Sequence, residues 1–131
     1  MDKRLKDSEW IILRALWNNA PLDLKDIVAS VQSADPNVNW DYKTYHSFLR
    51  ILMEKGYVLA ERHGKSNLYR PAITQEQALS LETESLLSRR VYFGSVSGLM
   101  VQMAEQGKLT EKEKQELRQL AERLAEEDAE Q

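Results

Sequence analysis

Five polar side chains share one short amphipathic stretch: Lys43, Thr44, His46, Ser47 and Arg50. Between and after them Tyr45, Phe48, Leu49, Leu52 and Met53 recur at helical spacing, which predicts a helix over residues 41–55 with a polar face near its start. Lys43 and Thr44 can hold a phosphate or a base edge. His46 and Ser47 take the next exposed positions, and Arg50 follows one turn on. A helix carrying such a set fits the major groove of B-DNA, and its first-turn amides can accept a phosphate. Further along, Arg62, His63, Lys65 and Arg70 cluster around Gly64. A basic hairpin tip can lie along a phosphate backbone or dip into the minor groove; Arg62 and Lys65 are the favoured contacts. The plainer readings are a solvated helix face and a charged edge that discourages strand aggregation.

The elements needed to position these groups are legible upstream. Trp10, Leu13 and Trp17, with Ile12 and Leu16, predict a helix over residues 7–18, capped by Asp7 or Ser8, with Glu9 in its first turn. Leu24, Ile27, Val28 and Val31 form the stripe of a second helix, residues 23–33, with Asp23 as N-cap. Asp35-Pro36-Asn37 is a turn, and Val38-Asn39-Trp40 suggests a short strand. The third helix opens at Asp41 and ends at Gly56 in a left-handed cap. Residues 57–62 and 67–71 then read as strands joined by His63-Gly64-Lys65-Ser66. Helix, helix, helix, ribbon is the order of a winged helix-turn-helix.

Beyond residue 73 the pattern turns helical. Thr74 and Gln77 make a capping box that opens a helix to about residue 92, and Val96, Leu99, Met100, Met103 and Ala104 suggest a short helix ended by Gly107. Thr110 and Glu113 make a second box that opens a last helix with Leu117, Leu120, Ala121 and Leu124 on one face. The expected fold class is mainly α with a small β-hairpin. A winged-helix head spans residues 1–73 and a helical dimerisation region spans residues 74–131. Leu86, Leu87, Val91, Leu99, Met100, Met103, Leu117, Leu120 and Leu124 supply more apolar surface than thin helices can cover, and a second copy would bury it.

Charge divides along the same line. The 131 residues carry a net charge of -3, which taken whole argues against nucleic acid. Residues 1–74, however, hold eleven Lys/Arg against nine Asp/Glu, a net of +2, and residues 75–131 hold seven against twelve, a net of -5. Six basic and three acidic residues fall between positions 41 and 70, so a polyanion site belongs there.

Other chemistries find little support. There is no cysteine, hence no disulfide, zinc thiolate, iron–sulfur cluster or cysteine nucleophile. The tryptophans could stack on single-stranded bases, but their register with Leu13 and Leu16 favours core packing for Trp10 and Trp17, and Trp40 suits a buttress for the third helix. Met100 and Met103 are adaptable core rather than soft-metal ligands. His46 and His63 lie on different elements without a third ligand. No phosphate loop, nucleophile elbow or paired His-Glu motif is present, so neither enzyme, metal nor cofactor is expected. The first ten residues lack an apolar signal core, and the longest uncharged run, residues 91–104, is short of the about 18 apolar residues a membrane span needs. A cytoplasmic location without membrane insertion is the expectation.

Leu5, Glu9, Trp10, Leu16 and Trp17, then Trp40 with Lys43-Thr44, then Leu49, Leu52, Lys55-Gly56, Arg62, Gly64, Tyr69 and Pro71, and finally Leu109-Thr110 with Glu113, stand in an order and spacing that resembles the penicillinase-repressor family, the BlaI/MecI/CopY type. The resemblance implies a homodimer of winged-helix heads held by C-terminal helices, bound to a palindromic double-stranded operator and shutting off genes of the β-lactam-resistance type or other stress genes. It also implies induction through a membrane sensor protease acting indirectly, with cleavage in the dimerisation region. The matching bond here is Gln102-Met103, where the family carries Asn-Phe or a similar pair. The cysteine cluster of the copper-responsive branch is missing. Two competing readings are a winged-helix protein-interaction module without DNA, which Tyr42 and Tyr45 would suit, and a ligand-sensing regulator.

Overall fold

The computed structural model describes residues 3–89 and 94–130. Helix α1 (Asp7–Asn19) presents Ile12, Leu13, Ala15 and Leu16 to the core, and α2 (Leu24–Ala34) adds Ile27, Val28 and Val31. Helix α3 (Tyr42–Glu54) adds Tyr45, Leu49 and Leu52. Strands β1 (Val58–His63) and β2 (Ser66–Pro71) pair antiparallel, Val58 opposite Pro71 and His63 opposite Ser66. The ribbon closes the core with Val58 and Tyr69, joined by Ile73 and by Ala78 of α4 (Gln75–Ser88). Burying a side chain of this size stabilises the fold by about 1.5–3 kcal/mol. This is the expected winged helix-turn-helix.

Local signals explain the boundaries. Asp23 caps α2 by accepting from the Asp26 N–H at 2.8 Å. Asp41 caps α3, accepting from the Thr44 N–H at 2.8 Å, and the Thr44 hydrogen bonds, with Lys43 adding its charge, hold the Asp41 carboxyl below the usual carboxylate range. At the far end of α3 the Tyr57 N–H reaches the Leu52 carbonyl and the Gly56 N–H reaches that of Met53. This closure needs a left-handed residue, and Gly56 supplies it at φ 81°. The wing turn contains only Gly64 and Lys65. With Gly64 first, at φ 64°, it is the type II′ arrangement that follows strand twist.

Four details differ from the sequence expectations. Lys6, not Asp7 or Ser8, holds the N-cap position of α1, and the Glu9 side chain accepts from the Lys6 N–H at 3.0 Å. Residues 38–40 form no strand. The third partner of the ribbon is Leu22, whose N–H and carbonyl both bond Tyr69. Glu9 stands in the first turn of α1 as expected, but it is buried and faces the equally buried Lys55 at 2.8 Å, a pairing the sequence pattern does not indicate. The second Glu9 oxygen also accepts from Lys55 Nζ, at 2.9 Å, and Nζ donates to the Arg4 carbonyl. Around this pair, Lys3 Nζ donates to the Lys55 carbonyl and the Tyr57 hydroxyl to the Lys3 carbonyl, strapping residues 3–6 across the end of α3.

The chain divides into two compact units, Met1–Ser85 and Leu86–Gln131. The first three turns of α4 thus pack with the head, through Ala78 and the half-buried Leu81. α4 opens with the expected capping box, Thr74 and Gln77 exchanging bonds of 2.9 and 3.1 Å. In the second unit, α5 (Val96–Glu105) turns through Gly107 into α6 (Glu111–Glu130). Thr110 and Glu113 form the second box, which holds the Glu113 carboxyl below its ordinary range. No helix among the described residues is long and apolar enough to cross a membrane.

Two predictions follow from the caps and the buried pair. Glu9→Ala leaves Lys55 charged and buried and is expected to cost about 3–5 kcal/mol in urea unfolding, whereas the joint change Glu9→Leu with Lys55→Met recovers most of it. A joint variant as unstable as the single one would show that the pair acts through something other than charge burial. The lowered Asp41 carboxyl contributes stability that is present above the unfolded-state value and lost as pH falls through the folded one. Thermal melts of the parent and Asp41→Asn should differ at neutral pH and converge in acid; a constant gap would remove the carboxylate charge from the cap.

Candidate nucleic-acid interface

Helix α3 turns a polar stripe away from Tyr45, Leu49 and Leu52. Lys43, Ser47 and Arg50, spaced i, i+4, i+7, share its centre. Lys43 and Arg50 are exposed. Ser47 is half-buried, and its hydroxyl donates to the Lys43 carbonyl at 3.1 Å, so its oxygen is left to accept. Glu54, also exposed, continues the stripe with the opposite charge. Thr44 sits half-buried on one flank, its amide committed to Asp41. His46 is exposed on the other flank, toward the wing.

There the first turn of α2, His46 and the wing border a cleft of about 360 Å³ whose polar lining includes Asp23, Lys25, His46, Lys65, Ser66 and Asn67. Lys25 and Asn67 were not singled out from sequence. Lys25 could have been found, since it follows the α2 cap and the helix before a reader helix commonly crosses the DNA backbone.

The wing separates residues that the sequence groups together. Side chains alternate along a strand, so Arg62 and Asn67 share the face of Val58 and Tyr69, whereas His63 and Arg70 lie on the opposite face. Arg62 Nε donates to the Gly64 carbonyl at 3.0 Å. Arg70 pairs with Glu61 at 2.9 Å, an exposed diagonal ion pair across the ribbon. Lys65 stands in the turn. The structure thus brings Lys65 to His46, keeps Arg62 on the core-side face, and turns Arg70 away. Lys55, counted among the basic residues of this region, is withdrawn into the interior with Glu9.

Aromatic rings brace α3 from behind. Trp40 meets Tyr45 at 5.2 Å and Phe48 at 5.0 Å between centroids, both edge-on, as expected of a buttress. Trp10 and Trp17 meet edge-on at 5.9 Å against the core, and Trp17 Nε1 donates to the Ile73 carbonyl at 2.8 Å, leaving neither as a free stacking platform. Burial, and secondarily Tyr42, pushes the Tyr45 phenol up; its hydroxyl has no hydrogen-bond partner among the described residues.

In the second unit, α5 and α6 border an apolar groove of about 420 Å³, lined by Met100, Met103, Leu109, Leu117 and Leu120 with Glu113, Glu116 and Arg123 at its sides. Leu99, Met100 and Leu117 are half-buried; Met103, Leu120 and Leu124 are exposed. Leu86 is half-buried and Leu87 exposed on the end of α4, and Val91 lies outside the described residues. Gln102 and Met103 lie inside α5, both exposed. No group of three or more His, Asp or Glu gathers for a metal among the described residues.

The penicillinase repressor of Bacillus licheniformis is 22% identical over 119 residues, covering 91% of this chain and 90% of that one. The methicillin resistance regulatory protein MecI of Staphylococcus aureus (strain N315) is 22% identical over 116 residues, covering 88% and 91%. The PcaV transcriptional regulator of Streptomyces coelicolor, solved with its natural ligand, superposes with a TM-score of 0.50 at 19% identity, over 94% of this chain and 76% of that one, a likeness of fold. The family model "Penicillinase repressor" matches residues 5–123, from the strap on α1 well into α6, and on that extent the chain belongs to the penicillinase repressor family.

Proposed function

We propose that this chain is a homodimeric transcriptional repressor that binds a palindromic operator in double-stranded DNA and acts by occupying it, without catalysis. The observation that carries the reading is the exposed Lys43–Ser47–Arg50 stripe on a capped helix, flanked by Lys65 of the wing. In this reading Lys43, Thr44, His46, Ser47 and Arg50 face the major groove, and Arg62 and Lys65 hold backbone phosphates. Residues 1–73 act as the reader and residues 74–131 as the clasp. In this reading the protein works in the cytoplasm, where a repressor would meet its operator.

The clasp closes on a second copy. Leu86, Leu87 and Val91 of the α4 region, Leu99, Met100 and Met103 of α5, and Leu117, Leu120 and Leu124 of α6 form its apolar contacts, and a two-fold dimer matches a palindrome. The target genes in this reading are of the β-lactam-resistance type or another stress response. Induction would come from a membrane sensor protease acting indirectly, at Gln102-Met103. Because that bond is helical, cutting requires α5 to unwind locally first.

Selection of bound genomic fragments by the purified protein, followed by footprinting, tests the reading. Protected two-fold sites are expected; no protected site anywhere would favour a protein-interaction module. On a selected site, Lys43→Ala and Arg62→Ala should each weaken binding about threefold to tenfold at fixed salt and flatten its salt dependence. Unchanged mobility shifts would remove those residues from the interface. Leu120→Glu should move the light-scattering mass from dimer to monomer and weaken operator binding with it, whereas a dimer that survives would place the clasp elsewhere.

A further inference from the structure

We propose that the cleft between α2, His46 and the wing turn seats a single backbone phosphate of the bound DNA, held jointly by Lys25 and Lys65. The inference rests on the DNA-binding reading above and adds Lys25 and Asn67 to it. Lys25 and Lys65 come from different elements and line one cleft of about 360 Å³. Neither ammonium pairs with a carboxylate among the described residues. The lining carries two ammoniums against the single carboxylate of Asp23, so its charge balance favours an anion. The carboxylate in the lining, Asp23, is engaged in capping α2 through the Asp26 N–H at 2.8 Å. The His46 ring, the Ser66 hydroxyl and the Asn67 amide add hydrogen-bonding groups.

The occupant is a phosphate rather than a base. The cleft lies on the wing flank of α3, beside the Lys43–Ser47–Arg50 stripe, so a base edge read by the stripe leaves the flanking backbone to meet the cleft. Seating it there fixes three elements against one phosphate and so sets the depth of α3 in the groove. Two cations on one phosphate have a distinctive salt signature. Either alone still neutralises the charge and releases its counterion; only loss of both forfeits it.

The test is fluorescence anisotropy with a selected operator duplex and a scrambled duplex of equal length, over a range of salt, for the full chain, Lys25→Gln, Lys65→Gln and the double variant. Lys43→Ala serves as the control for a separate contact. Each single variant should weaken binding with its salt slope nearly unchanged, and the double variant should lose about 0.9 from the slope, the worth of one phosphate, on both duplexes alike. A double variant that loses about 1.8 places the two lysines on separate phosphates and overturns the shared seat. A double variant that binds like the parent, while Lys43→Ala does not, overturns the cleft as a DNA contact and leaves the repressor reading standing. A parent chain that binds neither duplex overturns both. Melting temperatures within a degree or so of the parent verify that the exposed lysines were removed without unfolding the head.

Discussion

The ion pair between Glu9 and Lys55 joins segments 46 residues apart in sequence, and both side chains are almost completely removed from water. Withdrawing two charges costs several kcal/mol each, a cost that their attraction offsets only when the remaining hydrogen-bonding capacity is also filled. Here it is filled from two directions, by the Lys6 amide on the carboxylate and by the Arg4 carbonyl on the ammonium. Hydrocarbon of equal volume could match the stability, but it has no directional bonds. The pair therefore does something packing cannot: it registers the end of α3 against the start of α1. The strap of residues 3–6, the left-handed closure at Gly56 and the departure of β1 are set from that point, and with them the angle between α3 and the wing.

The same pair clarifies the charge of the head. Taking one lysine and one glutamate inside removes one of each sign, so the +2 balance of residues 1–74 stands for the surface too. What changes is its distribution. Arg70 is neutralised by Glu61, and Arg14 pairs with Asp35 on the other side of the helices. Among the described residues, Lys25, Lys43, Arg50, Arg62 and Lys65, drawn from α2, α3 and the wing, form no ion pair with a carboxylate. A modest net charge thus coexists with several cations free of carboxylate partners on α2, α3 and the wing, and an average over the chain conceals them.

Much of this was legible in the sequence because it is encoded locally. The three helical stripes of the head, the Asp23 and Asp41 caps, both Thr-led capping boxes and the Gly56 ending depend on residues within one turn of each other. The wing was found from a change of period, but its four basic residues were grouped by proximity to Gly64. Alternation would have divided Arg62 from His63 and Arg70. The pairing of Glu9 with Lys55, and the meeting of Lys25 with Lys65, were not legible, since each depends on how elements far apart in sequence pack. Residues 38–40 misled for a related reason: β-forming side chains were present, but the partner position beside Tyr69 was already taken by Leu22.

Arg62 illustrates what the short wing turn does to an exposed side chain. An arginine free in solution samples many rotamers, and fixing one on binding costs about 0.5–1.5 kcal/mol. In this wing the Nε–H is already held by the Gly64 carbonyl, so the side chain is ordered before any anion arrives, and its terminal nitrogens lie beyond the tethered atom. The two-residue turn brings that carbonyl within reach, so an anion meeting Arg62 would find part of the side chain already held.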